Sequence, residues 1–167
     1  MRINAEISQT LNFVGVGQFV IKAEAGKTIG KVPLFLSHVG NGTGVQWMTS
    51  VINTFETMAP ASFYSTEQVA LYTRFGFQTF RTKATWNEPK ISLHHAIGYG
   101  RFDSRLEHAA EFQTMEKGYY EGGLILDGLF TSSFYGIGIG VFYNYGSYAN
   151  TDWKKNIMPK IAVSISL

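Results

Sequence analysis

Residues 134–146 read FYGIGIGVFYNYG. Tyr135, Ile137, Ile139, Val141, Tyr143 and Tyr145 fall on one parity; Gly136, Gly138, Gly140 and Asn144 fall on the other. Alternation of period two predicts a β-strand with one apolar face and one small or wet face. A globular strand usually has about 5–6 residues, whereas a membrane-crossing strand needs about 9–11. This stretch has the longer form. Its tyrosines lie toward the ends, where an aromatic girdle meets the membrane interfaces.

Six more segments follow the same rule. On either side of it, residues 119–130 set Leu124, Leu126 and Phe130 against Glu121, Gly123 and Asp127, and residues 159–167 set Ile161, Val163, Ile165 and Leu167 against Lys160, Ala162, Ser164 and Ser166. Residues 90–101 set Ile91, Leu93, Ile97 and Tyr99 against Ser92, His94, Ala96, Gly98 and Gly100. Residues 67–80 set Val69, Leu71, Phe75 and Phe77 against Gln68, Arg74, Gly76 and Gln78. Residues 11–23 alternate more weakly, and residues 2–8 place Ile3, Ala5 and Ile7 between polar neighbours. The reading is all-β: an antiparallel up-and-down transmembrane β-barrel, partial, with about seven strands and one long loop.

The connections between these segments alternate in length: 9–10, 24–66, 81–89, 102–118, 131–133 and 147–158. Outer-membrane barrels have short periplasmic turns and longer extracellular loops. That asymmetry puts the C-terminus on the periplasmic side and makes 24–66 an extracellular loop. Single-chain bacterial barrels have an even strand number. Seven therefore suggests that residues 1–167 form the C-terminal portion of a larger barrel, its remainder lying upstream of Met1. Residues 1–8 read as a strand and lack the charged start and apolar run of an export signal.

Composition agrees with this. Only 16% of residues are charged, aromatics reach 15%, and there are 18 glycines and no cysteine. Disulfides, thiol nucleophiles and cysteine-based zinc sites are excluded. A net charge of +2 offers no general attraction for nucleic acid. No apolar run reaches the roughly 18 residues of a transmembrane helix.

Within 24–66, Trp47, Met48, Val51, Ile52 and Phe55 follow helical spacing and predict a short amphipathic helix. A connection this long serves as a lid, folds into the lumen, or packs its own apolar cluster. Residues 103–118 predict a solvated helical turn.

The stretches TMEKGYYEGGLILDGL (114–129) and YGIGIGVFYNYGSYA (135–149) resemble the C-terminal end of a family of Bacteroidota outer-membrane proteins. Those proteins carry a carboxypeptidase-regulatory-like β-sandwich domain before a C-terminal β-barrel. FETMAPASFYSTEQVALYTRFGF (55–77) is similar to the approach to a barrel strand in the same family. The resemblance covers roughly residues 55–167 and implies an outer-membrane location and an N-terminal part. It carries no catalytic motif and no substrate. Such barrels often end in an aromatic residue, whereas this chain ends in Leu167.

Arg74, His94, Glu121 and Asp127 share a face expected to point into the lumen, where opposite charges either brace the wall or select solutes. Tyr135, Ile137, Ile139, Val141 and Tyr143 are expected to face lipid. His94 and His95 are adjacent on a strand and point to opposite faces, so they cannot easily share a metal; His38 and His108 lie in loops. No metal or cofactor is expected. Gly136, Gly138 and Gly140 lack the strand-to-helix setting of a phosphate loop and read as small residues in a crowded interior. Lys154 and Lys155 beside Trp153 read as a solvated loop. The expected function is a structural wall of a pore or transporter in the bacterial outer membrane, with lipid as partner and no catalytic role. A soluble antiparallel barrel binding a lipid-like ligand is the alternative. Its apolar faces would line a cavity. A third reading, a membrane acyltransferase, would use Ser92, His94 and Asp127.

Overall fold

The computed structural model describes residues 1–30, 33–78, 89–103, 111–132 and 135–165. The described chain is all-β with no α-helix; two short 3-10 turns cover Leu34–Leu36 and Trp153–Asn156. Seven long strands form one antiparallel sheet: β1 (Arg2–Phe13), β2 (Gly17–Thr28), β5 (Glu67–Gln78), β6 (Lys90–Arg101), β7 (Tyr119–Thr131), β8 (Tyr135–Tyr145) and β9 (Ile157–Ile165). A two-residue pair, β3 (His38–Val39) and β4 (Tyr64–Ser65), lies inside the long connection. The long strands follow one another in sheet order β1-β2-β5-β6-β7-β8-β9, an up-and-down meander. The sheet is open, because β1 and β9 do not pair.

Register aligns the alternation from strand to strand. One row runs Leu11, Phe19, Phe75, Leu93, Leu124, Val141 and Pro159 across all seven strands. Each of these side chains is exposed or half-buried. The opposite face carries Tyr72, Ala96, Glu121, Phe142 and Lys160, all buried. The molecule thus hides polar and charged groups on the face that the long connection covers and shows its aliphatic face outward. A slip of one residue in any strand would exchange the two faces, so the pattern fixes the register.

Three sequence expectations need correction. The first turn is not at 9–10 but at 14–16, so β1 extends through Gln9 and Thr10 to Phe13. Gly15 takes a positive φ of 75°, and the Val16 amide donates to the Phe13 carbonyl at 3.0 Å. Glycine meets that turn's demand; a polar pair such as Gln9-Thr10 sits in an edge strand without cost. β2 accordingly runs to Thr28, so the connection begins at residue 29 rather than 24. The second correction is the helix expected over Trp47–Phe55. Trp47 and Asn53 have positive φ, and the segment is a chain of turns and bridges. The Trp47, Ser50 and Phe55 amides bond to the distant Pro159, Ile161 and Asn41 carbonyls, and the Val51 amide to the Glu56 carboxylate, instead of to carbonyls four residues back. Strand β7 also carries an irregularity between Leu126 and Phe130. The solvated helical turn expected at 103–118 is not found in its described part: residues 111–118 are not helical, Gln113 bridges to Phe63, and Met115 is buried in the core. Residues 104–110, with His108, lie outside the described residues, as do the 81–89 connection up to residue 88 and Leu167.

Candidate functional site

The connection 29–66 folds back onto the inner face of the sheet. Gly40 N–H donates to the Phe63 carbonyl and Phe55 N–H to the Asn41 carbonyl, which shapes it into a compact unit. Phe55, Met58 and Phe63 then bury against Tyr72, Ala96, Met115 and Tyr119. Phe55 meets Tyr72 at 5.1 Å and Tyr119 at 5.3 Å between ring centroids; Phe63 meets Tyr148 edge-on at 5.0 Å. Each such side chain contributes about 1.5–3 kcal/mol by leaving water. Phe55 can sit there because β6 offers Gly98: a Cβ at that position would lie 2.6 Å from the Phe55 ring. Gly98→Val is expected to displace Phe55 and cost about 1–3 kcal/mol. Proteolysis of the connection under native conditions measures it, with cleavage within 29–66 accelerated while the sheet's circular dichroism is kept.

Two buried carboxylates fasten the connection from opposite sides. Glu121, on β7, is fully buried. It accepts from the Glu56 amide at 2.8 Å, the Thr57 amide at 2.9 Å, the Thr57 hydroxyl at 2.6 Å, and His94 Nε2 at 3.0 Å. Glu56, on the connection, accepts from the Ser50 hydroxyl at 2.6 Å, the Val51 amide at 2.8 Å and the Thr43 hydroxyl at 3.1 Å. Its other partner is Lys160 of β9, 3.4 Å away and fully buried. Lys160 also donates to the Thr43 carbonyl. Thr57 adds a hydroxyl bond to Tyr119 at 2.8 Å. The wall's acid thus holds the connection's amides, and the connection's acid holds the wall's cation. A buried carboxylate requires this many donors, or the cost of leaving water is not offset.

The connection also reaches the free edge of β9. Trp47 N–H donates to the Pro159 carbonyl at 3.0 Å, Ser50 N–H to the Ile161 carbonyl at 2.7 Å, and Ile161 N–H to the Met48 carbonyl at 3.1 Å. Among the described residues no equivalent cover lies over β1, which is exposed on both faces.

His38 of β3 is buried, packs over Gly26, and leaves its Nε2 without a hydrogen bond among the described residues. Burial pushes its pKa below the ordinary 6.5, the Arg2 cation adds to that, and a backbone bond to Lys27 opposes them. The unfolded chain therefore binds this proton more readily than the folded one. The contribution is complete above about pH 6.5 and is lost as pH falls through the folded value. Seating of the connection should weaken on acidification below about pH 6.5, and His38→Phe should flatten that part of the pH profile. Thermal melts between neutral pH and about pH 5 read both.

The residues singled out in the sequence separate into three groups. His94 and Glu121 are bonded to each other within the fastening network. Arg74 stands directly opposite His94 in the β5–β6 register without bonding to that pair, and with Asp127 it lines a cavity that Lys90 and Ser92 share. Tyr135, Ile137, Ile139, Val141 and Tyr143 are all on the outer face, between 39% and 51% exposed. His95, on the face opposite His94, bonds Tyr145 Oη at 2.5 Å. The Ser92, His94 and Asp127 grouping does not assemble as a relay, since His94 Nε2 is turned to Glu121. Lys154 lies 6.0 Å from the Trp153 ring, its amide capped by Asp152. Among the described residues no group of three His, Asp or Glu side chains is placed to hold a metal.

Glu56, Thr57 and Lys160 escaped selection from the sequence. A signal existed for two of them. Lys160 is a lone charge at inward parity in an otherwise apolar or small strand, and Glu56 is a lone acid between Phe55 and Met58. No family model, curated protein or solved structure matches the chain.

Proposed function

We propose that the chain is the wall of an outer-membrane β-barrel, with a structural role in a pore or transporter and no catalytic role. Its long β2-to-β5 connection would serve as an internal plug. The observation that carries this reading is the inverted partition of the sheet. Ile137, Ile139, Val141, Ile161 and Val163 point outward, while Glu121, Lys160 and His94 point inward and are buried. A soluble lipid-binding barrel needs the aliphatic face on the inside. From Tyr135 to Tyr145, at about 3.4 Å per residue and a tilt of about 45°, the outer face of β8 rises roughly 24 Å, against an apolar band of about 25 Å in such barrels. Tyr99, Tyr120, Tyr143 and Tyr145 gather toward one end of that face, as an interfacial girdle requires. The resemblance of residues 55–167 supports the same reading. Outer-membrane lipid would cover the outer face. The remainder of the same barrel would pair with the edge of β1, because lipid cannot satisfy an open strand edge.

Detergent partitioning and a heat-modifiable gel shift test the proposal; a freely soluble monomer overturns it. Ile139→Arg gives a sharper result. At a lipid-facing midplane position it should cost about 2–4 kcal/mol on folding into vesicles. On a water-facing surface the same change stays within about 0.5 kcal/mol.

A further inference from the structure

Beside the fastening network, a cavity of about 720 Å³ lies against the inner face between β2, β5, β6, β7 and β9. That volume is within the roughly 300–1,000 Å³ typical of small-molecule sites. Arg74 and Lys90 line it, with Asp127 as the acid among its lining residues. Lys90 and Asp127 stand directly opposite each other in the β6–β7 register. Arg74 is different. It sits half-buried in the wall, and among the described residues its guanidinium has neither a hydrogen bond nor an ion pair. Two acids reach it by field alone, Asp127 first and Glu56 after it; Glu56 is already held by Lys160 and three other donors. Val20, Ile52 and Ile125 supply apolar wall nearby, and Ser92 a hydroxyl.

We propose that this cavity binds small organic carboxylates bearing an apolar body, with the carboxylate on Arg74. The guanidinium is a planar fork of five donors that matches a carboxylate in two parallel bonds. A half-buried position strengthens such a pair relative to water. Lys90 adds positive field to the same wall, and the aliphatic residues receive the body of the ligand. Two cations against one acid, Asp127, leave the described lining favouring an anion over a cation of the same shape. This deepens the pore reading by naming the solute class. It rests on that reading for the passage of the solute, not for its binding.

The test uses the full chain folded in uncharged detergent micelles, with phenylpropionate and its neutral isostere phenylpropanamide as probes, followed by ligand-observed magnetic resonance. The acid should bind at least about tenfold more tightly than the amide. Arg74→Gln should remove that preference while the β-sheet circular dichroism is unchanged; Lys90→Gln should reduce it and weaken its salt dependence. Equal affinity for the two probes overturns the proposal, as does full carboxylate preference in Arg74→Gln. Vesicle insertion is scored separately. A chain that prefers the acid but does not insert keeps the site and overturns the pore; one that inserts without preference overturns the site alone.

Discussion

Glu121→Ala is expected to release the connection 29–66 from the sheet, with a loss of about 3–5 kcal/mol from its docking. Four donors converge on that carboxylate: two amides and a hydroxyl of the connection, and His94 of the wall. Without it, buried donors stay unpaired, each at about 1–3 kcal/mol unless water enters. Water entry is itself the expected outcome, since the Glu56 and Thr57 amides would then exchange hydrogen with solvent. Hydrogen exchange at residues 54–58 reads this directly. In the pore reading, planar-bilayer recordings should show a larger and noisier conductance. His94→Ala should be milder, because Glu121 keeps three of its four donors. If His94→Ala proved as severe as Glu121→Ala, the stabilisation would reside in the imidazole instead.

The second large effect is expected at Lys160. Lys160→Met leaves Glu56 buried without a cation and should cost about 3–5 kcal/mol. The double change Lys160→Met with Glu56→Gln removes both charges and should recover most of that loss. An amide can still accept from the Ser50 hydroxyl and Val51 amide that now hold the acid. A double-mutant cycle on urea-induced unfolding measures the coupling. A coupling near zero would mean that the 3.4 Å pair is incidental to how the connection is held.

The strands were legible because alternation is a local property that any ten residues display. Ile137, Ile139 and Val141 carry the whole face of β8 in one reading. The exception at 9–10 shows what alternation does not encode: an edge strand has one pairing neighbour, so its polar pairs tolerate continuation as well as a turn. The inserted connection was legible only as something long. Its apolar residues at 47, 48, 51, 52 and 55 have helical spacing, yet the backbone spends its amides on Pro159, Ile161 and the Glu56 carboxylate. Long-range bonds decided that segment, and spacing does not report them. The fastening network was invisible for the same reason. Lys160 finds the Thr43 carbonyl 117 positions away, and no periodicity links them.

That distance orders events in time. The β1–β2 hairpin closes over a three-residue turn and can form as soon as it is made. The hold on Thr43, Met48 and Glu56 requires the final strand, so loop closure over more than a hundred residues must precede it. Until β9 arrives, Glu56 lacks its ion-pair partner, and the segment 43–54 has no edge to rest on. The last strand therefore completes the interior as well as the wall. In pulse-labelled refolding, protection of 43–54 should appear in the same kinetic phase as protection of β9, and later than that of β1 and β2.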